Sequence, residues 1–150
     1  MRRPAKPLLV KPLLVIAALL AAAPPALAEE IDVIVNRQRT TQLDREEIAQ
    51  IFLKKRRFWD DDTPMLPVNQ SAGSATRASF DRAVFGAGAR RLSVYWNRAY
   101  FRGVLPPATL ASDEAVRRFV VSEPRAIGYI RAGAVEASVR VVLILTASSP

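Results

Sequence analysis

The sequence predicts an α/β layer fold built on a mostly parallel sheet. Three observations carry that prediction. Short β-branched runs alternate with amphipathic helical stretches along the chain. Beyond an N-terminal leader, about 122 residues remain, one domain's worth. A chain of that size buries roughly two-thirds of its unfolded surface, enough for a core without cross-links.

The first 28 residues read as a cleavable signal peptide. Arg2, Arg3, Lys6 and Lys11 form a basic head, and Leu13 to Ala23 is an unbroken apolar run. Ala26-Leu27-Ala28 supplies the small-x-small signal for cleavage before Glu29. The run is shorter than the ~20 residues that a membrane span needs, so no stable membrane insertion is expected. The expected organisation is therefore a signal peptide at 1–28, a single lobe at 29–145 and a short polar tail at 146–150, with the mature protein in the periplasm.

Ile31-Asp32-Val33-Ile34-Val35-Asn36 reads as the first strand. A helix then starts at Asp44, an N-cap that Glu47 completes as a capping box, with Leu43 placed to staple against Ile48. Ile48, Ile51 and Phe52 form its apolar face, and it ends near Leu53. The basic run Lys54-Lys55-Arg56-Arg57 reads as a solvated loop, with an anion or lipid-surface role as the alternative. Asp60-Asp61-Asp62 reads as a polar turn, because the alternating ligand spacing and bidentate Glu of a calcium loop are missing.

Met65 to Val68 is the second strand. A helix follows Ser74, with Phe80, Val84 and Phe85 at helical spacing, and Gly86-Ala87-Gly88 stops it. From about Ala89 a further helix carries Leu92, Tyr95, Trp96 and Tyr100 on one stripe, read as core or lobe-packing surface. Ser112-Asp113-Glu114 caps another, with Val116, Phe119 and Val120 inward, and Pro124 forbids its continuation. Ala126 to Ile130 and Ser138 to Leu145 are two more strands.

Composition narrows the function. The chain carries 22 Lys+Arg against 14 Asp+Glu. Four of the cations lie in the leader, leaving 18 against 14 and a charge of +4. After export no nucleic acid is within reach, and this modest excess suits an anionic ligand or an envelope surface. The chain has no cysteine and no histidine, which removes disulfides, thiol nucleophiles and every Ser-His-Asp arrangement. No base, metal set or cofactor loop is visible, so the sequence predicts a non-enzyme without cofactors.

The segment Ser71 to Phe80 holds the candidate site. Small hydroxyl residues and a glycine stand where a strand passes into a helix. The first amides of a helix lack intrahelical partners, and its dipole puts about half a positive charge at that end. Ser71, Gly73, Ser74, Ala75, Thr76 and Arg77 are the candidate ligands of an oxyanion such as phosphate. The alternative is that Ser74 only caps its own helix.

Several landmarks occur together and in order. They are Ile34-Val35-Asn36, Leu43…Ile51-Phe52-Leu53, Trp59, Pro67-Val68, Gly73-Ser74-Ala75-Thr76-Arg77…Phe80 and Ala126-Ile127-Gly128-Tyr129. The set resembles the periplasmic phosphate-binding proteins of ABC transporters, in the type II periplasmic-binding-protein superfamily. The resemblance implies a single three-layer lobe, inorganic phosphate or a similar oxyanion as ligand, and an ABC permease or another envelope protein as partner. It implies Ser74 and Thr76 as hydroxyl donors, with Ala75 where the family usually has glycine. The family's phosphate-contacting arginine falls at Gln70, which is neutral, and a charge-assisted bond is roughly twice as strong as a neutral one. Lys54 replaces a glycine that often ends the family's first matching helix. The resemblance covers the second of the family's two lobes, so an anion here stays wet on one side unless a dimer or partner closes the site. Millimolar-range or no affinity is the expectation, and an interaction module that kept the lobe and lost the ligand is the alternative function.

Overall fold

The computed structural model describes residues 29–86 and 88–146. The expected signal peptide at 1–28 and the residues after Thr146 lie outside the described residues. In chain order the elements are β1 (Glu30–Asn36), α1 (Arg45–Phe52), β2 (Leu66–Gln70), α2 (Ala75–Phe85), α3 (Ala89–Tyr100), β3 (Ala108–Leu110), α4 (Asp113–Ser122), β4 (Ala126–Arg131) and β5 (Val139–Thr146). A 3-10 turn at Ala132–Ala134 links the last two strands. The last strand reaches Thr146, one residue into the expected tail.

All five strands form one sheet in the order β3-β2-β4-β1-β5. β2 pairs in parallel with β3 and β4, while β1 pairs antiparallel with both β4 and β5. Four strands therefore run in one direction and β1 runs against them from inside the sheet. This is a mostly parallel α/β lobe. The alternation of strands and helices announces the parallel part. The reversal of β1 is set by its pairing with strands about a hundred residues away, which no local pattern encodes.

Strand alternation divides the core into two layers. Ile31, Val33 and Val35 of β1 face α1 and α2, together with Ile48, Ile51, Phe52, Phe80, Val84, Ile127, Tyr129 and Leu145. Ile34 faces the other way, toward α4, with Val68, Val116, Val120, Ala126 and Ile130. The result is three layers, helix–sheet–helix. Gly128 on β4 makes the α4 layer close: a Cβ there would lie 2.5 Å from Val116 Cγ1 and 3.1 Å from Val68 Cγ2. Asn36 ties the two layers at the end of β1, its Nδ2 donating to the carbonyls of Val120 (3.1 Å) and Val121 (2.9 Å).

The local signals hold where they were strongest. Asp44 caps α1, and both halves of the capping box form, Glu47 N–H to Asp44 at 2.8 Å and Asp44 N–H to Glu47 at 2.9 Å. The three aspartates form a turn in which Asp61 accepts from the Thr63 hydroxyl and from Arg39, and Asp60 pairs with Arg56. Arg56, in the basic run, also pairs with Glu47.

Of the two readings of the α3 stripe, core and lobe-packing surface, the first does not hold. Leu92, Tyr95 and Trp96 are only half-buried, Tyr100 is exposed, and neither core cluster includes them. The helix leans on the end of α1, where the Tyr95 hydroxyl donates to the Leu53 carbonyl at 2.7 Å. Only Ala99 of its described side chains is buried.

Candidate functional site

β2 ends at Gln70, and the chain turns through Ser71–Ser74 into α2. The turn is tight, with Ser74 N–H donating to the Ser71 carbonyl at 2.9 Å. The α2 start is fixed against the sheet by Phe80, whose ring stacks on Tyr129 of β4 at 3.8 Å and 6°. Phe52 of α1 closes on Phe80 at 4.8 Å.

Ser74 is the N-cap of α2. Its Oγ accepts from Arg77 N–H at 3.2 Å, and its hydroxyl donates to Gln70 Oε1 at 2.8 Å. Arg77 turns back over the junction: Nη1 donates to the Gln70 carbonyl at 2.9 Å, and Nε lies 3.7 Å from Asp81. The capping role of Ser74 is thus realised, and the Arg77 charge is held within the lobe.

The remaining candidates are arranged differently. Ser71, Gly73 and Ala75 are exposed. An added Cβ at Gly73 would meet nothing within 4 Å, so the loop is open on its outer side. Thr76 is buried, and its hydroxyl has no hydrogen-bond partner among the described residues. The amides of Ala75 and Thr76 are the first two of the helix and take no acceptor among the described residues. Ser71 faces β3, its N–H donating to the Leu110 carbonyl at 3.1 Å.

Beneath the loop lies a network that the sequence reading missed. Gln70, the position of the missing arginine, is buried, and its Nε2 donates to Asp113 Oδ1 at 2.6 Å and to the Tyr129 carbonyl at 3.2 Å. The Tyr129 hydroxyl accepts from Gln70 N–H at 3.1 Å and donates to Asn69 Oδ1 at 3.2 Å. Asp113 also accepts from Arg131 Nε at 2.7 Å. Burial pushes the Tyr129 hydroxyl well above its usual range, so it stays a neutral donor. Burial also raises Asp81 to about 6, against the opposing pull of Arg77. Only the Ala-Ile-Gly-Tyr motif hinted at any of this, because the partners of Gln70 lie 43 and 59 residues away in sequence.

A cleft of about 690 Å³ opens beside the loop between α2 and α3. Arg77, Asp81 and Arg82 line one wall, and Leu92, Trp96 and Pro106 the other. Its polar groups suit hydrogen bonding and charge neutralisation.

No protein-family model matches the chain, and no curated protein matches it at a significant level. Solved structures do. An ABC-type phosphate transport receptor from Vibrio cholerae aligns with a TM-score of 0.63 at 21% identity, over 77% of this chain and 46% of that one. A phosphate ABC transporter substrate-binding protein from Clostridium perfringens, solved with bound phosphate, aligns with a TM-score of 0.63 at 25% identity, over 77% and 45%. PstS from Borrelia burgdorferi aligns with a TM-score of 0.55 at 14% identity, over 72% and 43%. The chain spans less than half the length of each of these structures. They are receptors and substrate-binding proteins rather than enzymes. In fold, the chain is a single-lobe relative of the substrate-binding proteins of phosphate ABC transporters.

Proposed function

We propose that this protein binds phosphate or a similar oxyanion at the N-terminus of α2, as a periplasmic component related to phosphate transport. The observation that carries the reading is the pair of amides at Ala75 and Thr76. They take no acceptor among the described residues and stand at the positive end of an 11-residue helix, beside an open loop, in a lobe folded like part of a phosphate-binding protein. The Thr76 hydroxyl, without a partner among the described residues, is a further donor on the same turn. Gly73 leaves the approach clear. Arg77 and Arg82 supply positive potential from the cleft wall.

The site holds an anion by neutral donors and a helix dipole, with no guanidinium in direct contact. Water competes on the open side, so weak binding is the expected regime. The likeness to full-length receptors supports an ABC permease or another envelope protein as partner, and the leader supports the periplasmic location.

A second reading is favoured by one observation. Ser74, Gln70 and Arg77 are all engaged within the lobe, as in a module that keeps the fold for its surface alone. Calorimetric titration with phosphate, using sulfate as control, separates the two. Binding in the millimolar range that Thr76→Ala weakens supports the anion site. Absence of heat at tens of millimolar phosphate leaves the interaction module.

A further inference from the structure

Among the described residues seven large hydrophobic side chains are strongly exposed, and four of them, Val94, Tyr100, Phe101 and Leu105, lie in α3 and the turn that follows. Phe58, Val121 and Ile144 stand apart on other elements and need no explanation. On α3 the solvent-facing stripe reads Arg90, Val94, Arg98, Phe101, at helical spacing of four, four and three. Phe101 is 88% exposed, and its ring meets the edge of Tyr100 at 6.0 Å. Leu105 follows just past the turn at Gly103, 61% exposed.

Charge on this element is one-sided. From Arg82 to Ser112 the sequence carries five arginines and no carboxylate. Elsewhere Arg39, Arg56, Arg117, Arg118, Arg125 and Arg131 each pair with an acid, while the exposed Arg37, Arg45, Arg57 and Arg140, which enter no ion pair among the described residues, are scattered over other parts of the fold. Arg90, Arg91, Arg98 and Arg102 are all exposed and enter no ion pair among the described residues. The helix itself is anchored from behind by Tyr95 and Ala99, so its outer stripe is free of structural duty.

We infer that the outer face of α3, with Tyr100, Phe101 and Leu105 at its tip, is a docking surface for an anionic lipid bilayer. The aromatic and aliphatic tip suits the boundary between headgroups and acyl chains, while the unpaired guanidiniums stay at the level of the lipid phosphates. A second copy is a poorer fit, because it would set four unneutralised arginines against four more. Side chains exposed to this degree form a projecting tip rather than a pocket, which suits a deformable surface. The contact is peripheral and reversible, distinct from insertion.

The test is flotation of the exported, purified protein with vesicles, every variant carrying the same N-terminus. Vesicles of phosphatidylcholine with about a third phosphatidylglycerol are compared with phosphatidylcholine alone. Wild type is expected to float with the anionic vesicles at low salt, to float poorly with neutral ones, and to be released near molar salt, where screening shortens to about 3 Å. Each arginine removed weakens binding roughly five-fold. Arg98→Gln/Arg102→Gln therefore loses more than an order of magnitude, and Phe101→Ser/Leu105→Ser also releases the protein. Arg37→Gln/Arg140→Gln removes the same charge from exposed positions off the helix and retains binding. All these side chains are exposed, and unchanged circular dichroism and melting confirm that the variants fold. The inference is overturned if wild type ignores anionic vesicles, or if the control variant loses as much as the α3 variants. It is equally overturned by a dimer in light scattering that Phe101→Ser/Leu105→Ser abolishes while vesicles are ignored, which would assign the face to a second copy.

Discussion

Lys54 shows how one residue records a departure from the family pattern. It stands just past α1, where its N–H returns to the Ile51 carbonyl at 3.0 Å and that of Lys55 to Gln50 at 2.8 Å. This double return is the Schellman ending, which places the first residue beyond the cap in the left-handed region. Lys54 has φ +58°. A side chain with a Cβ is strained there, and partial burial also pulls its amine below the usual lysine range. Lys54→Gly is expected to raise unfolding stability by about 1 kcal/mol, measured by urea denaturation. The substitution signal was legible in the sequence, and the backbone angle that explains it was not.

Asp81 gives the second residue-scale prediction. Its folded-state value of about 6 exceeds the ordinary 3.8, chiefly because burial disfavours the charge. Well below pH 4 the carboxyl is protonated in both folded and unfolded chains, and it costs nothing. The unfolded chain ionises from about pH 4 and the folded chain only near 6, so the folded state loses stability as pH rises between the two, and the loss is complete above 6. Asp81→Asn should therefore raise the melting temperature at pH 7.5 and show a much smaller gain at pH 4.

At the scale of elements, the contact between α4 and β4 depends on Gly128. Val116 and Val68 already occupy the space a methyl group would need. Gly128→Ala is expected to destabilise by about 1–3 kcal/mol through overpacking, visible as a lower denaturation midpoint with an unchanged slope. The helices were legible because their signals are local. Asp44 with Glu47, Ser74 with its hydroxyl, and Ser112 before Asp113 are caps read within four residues. β3 escaped notice because three residues after Pro106-Pro107 carry no alternation, and among the described residues it pairs only with β2, across about forty residues. The core reading of the α3 stripe failed for a related reason. The stripe has helical spacing, but spacing cannot say whether a face meets the core, the rim of a cleft or solvent.

The described residues form a lobe whose loop between β2 and α2 is built from two kinds of bond. Short-range bonds, such as Ser74 to Arg77, follow from the loop sequence and were anticipated as one of its two readings. Long-range bonds, such as Gln70 to Asp113 and Tyr129, need the assembled sheet, so the network under the loop was hidden until β2, β4 and α4 were placed together. This network bears on the missing arginine, because Gln70 is spent bridging the Asp113 carboxylate and the Ser74 hydroxyl.

The central claim is that the free amides at the start of α2 receive an oxyanion. The most direct measurement is a phosphate titration of the isotope-labelled protein followed by amide nuclear magnetic resonance, at constant ionic strength. The account predicts saturable shifts concentrated at Ala75 and Thr76, weakened in Thr76→Ala and small at the α3 amides. Shifts absent from Ala75 and Thr76 at tens of millimolar phosphate, or spread evenly over exposed arginines without saturation, would contradict it.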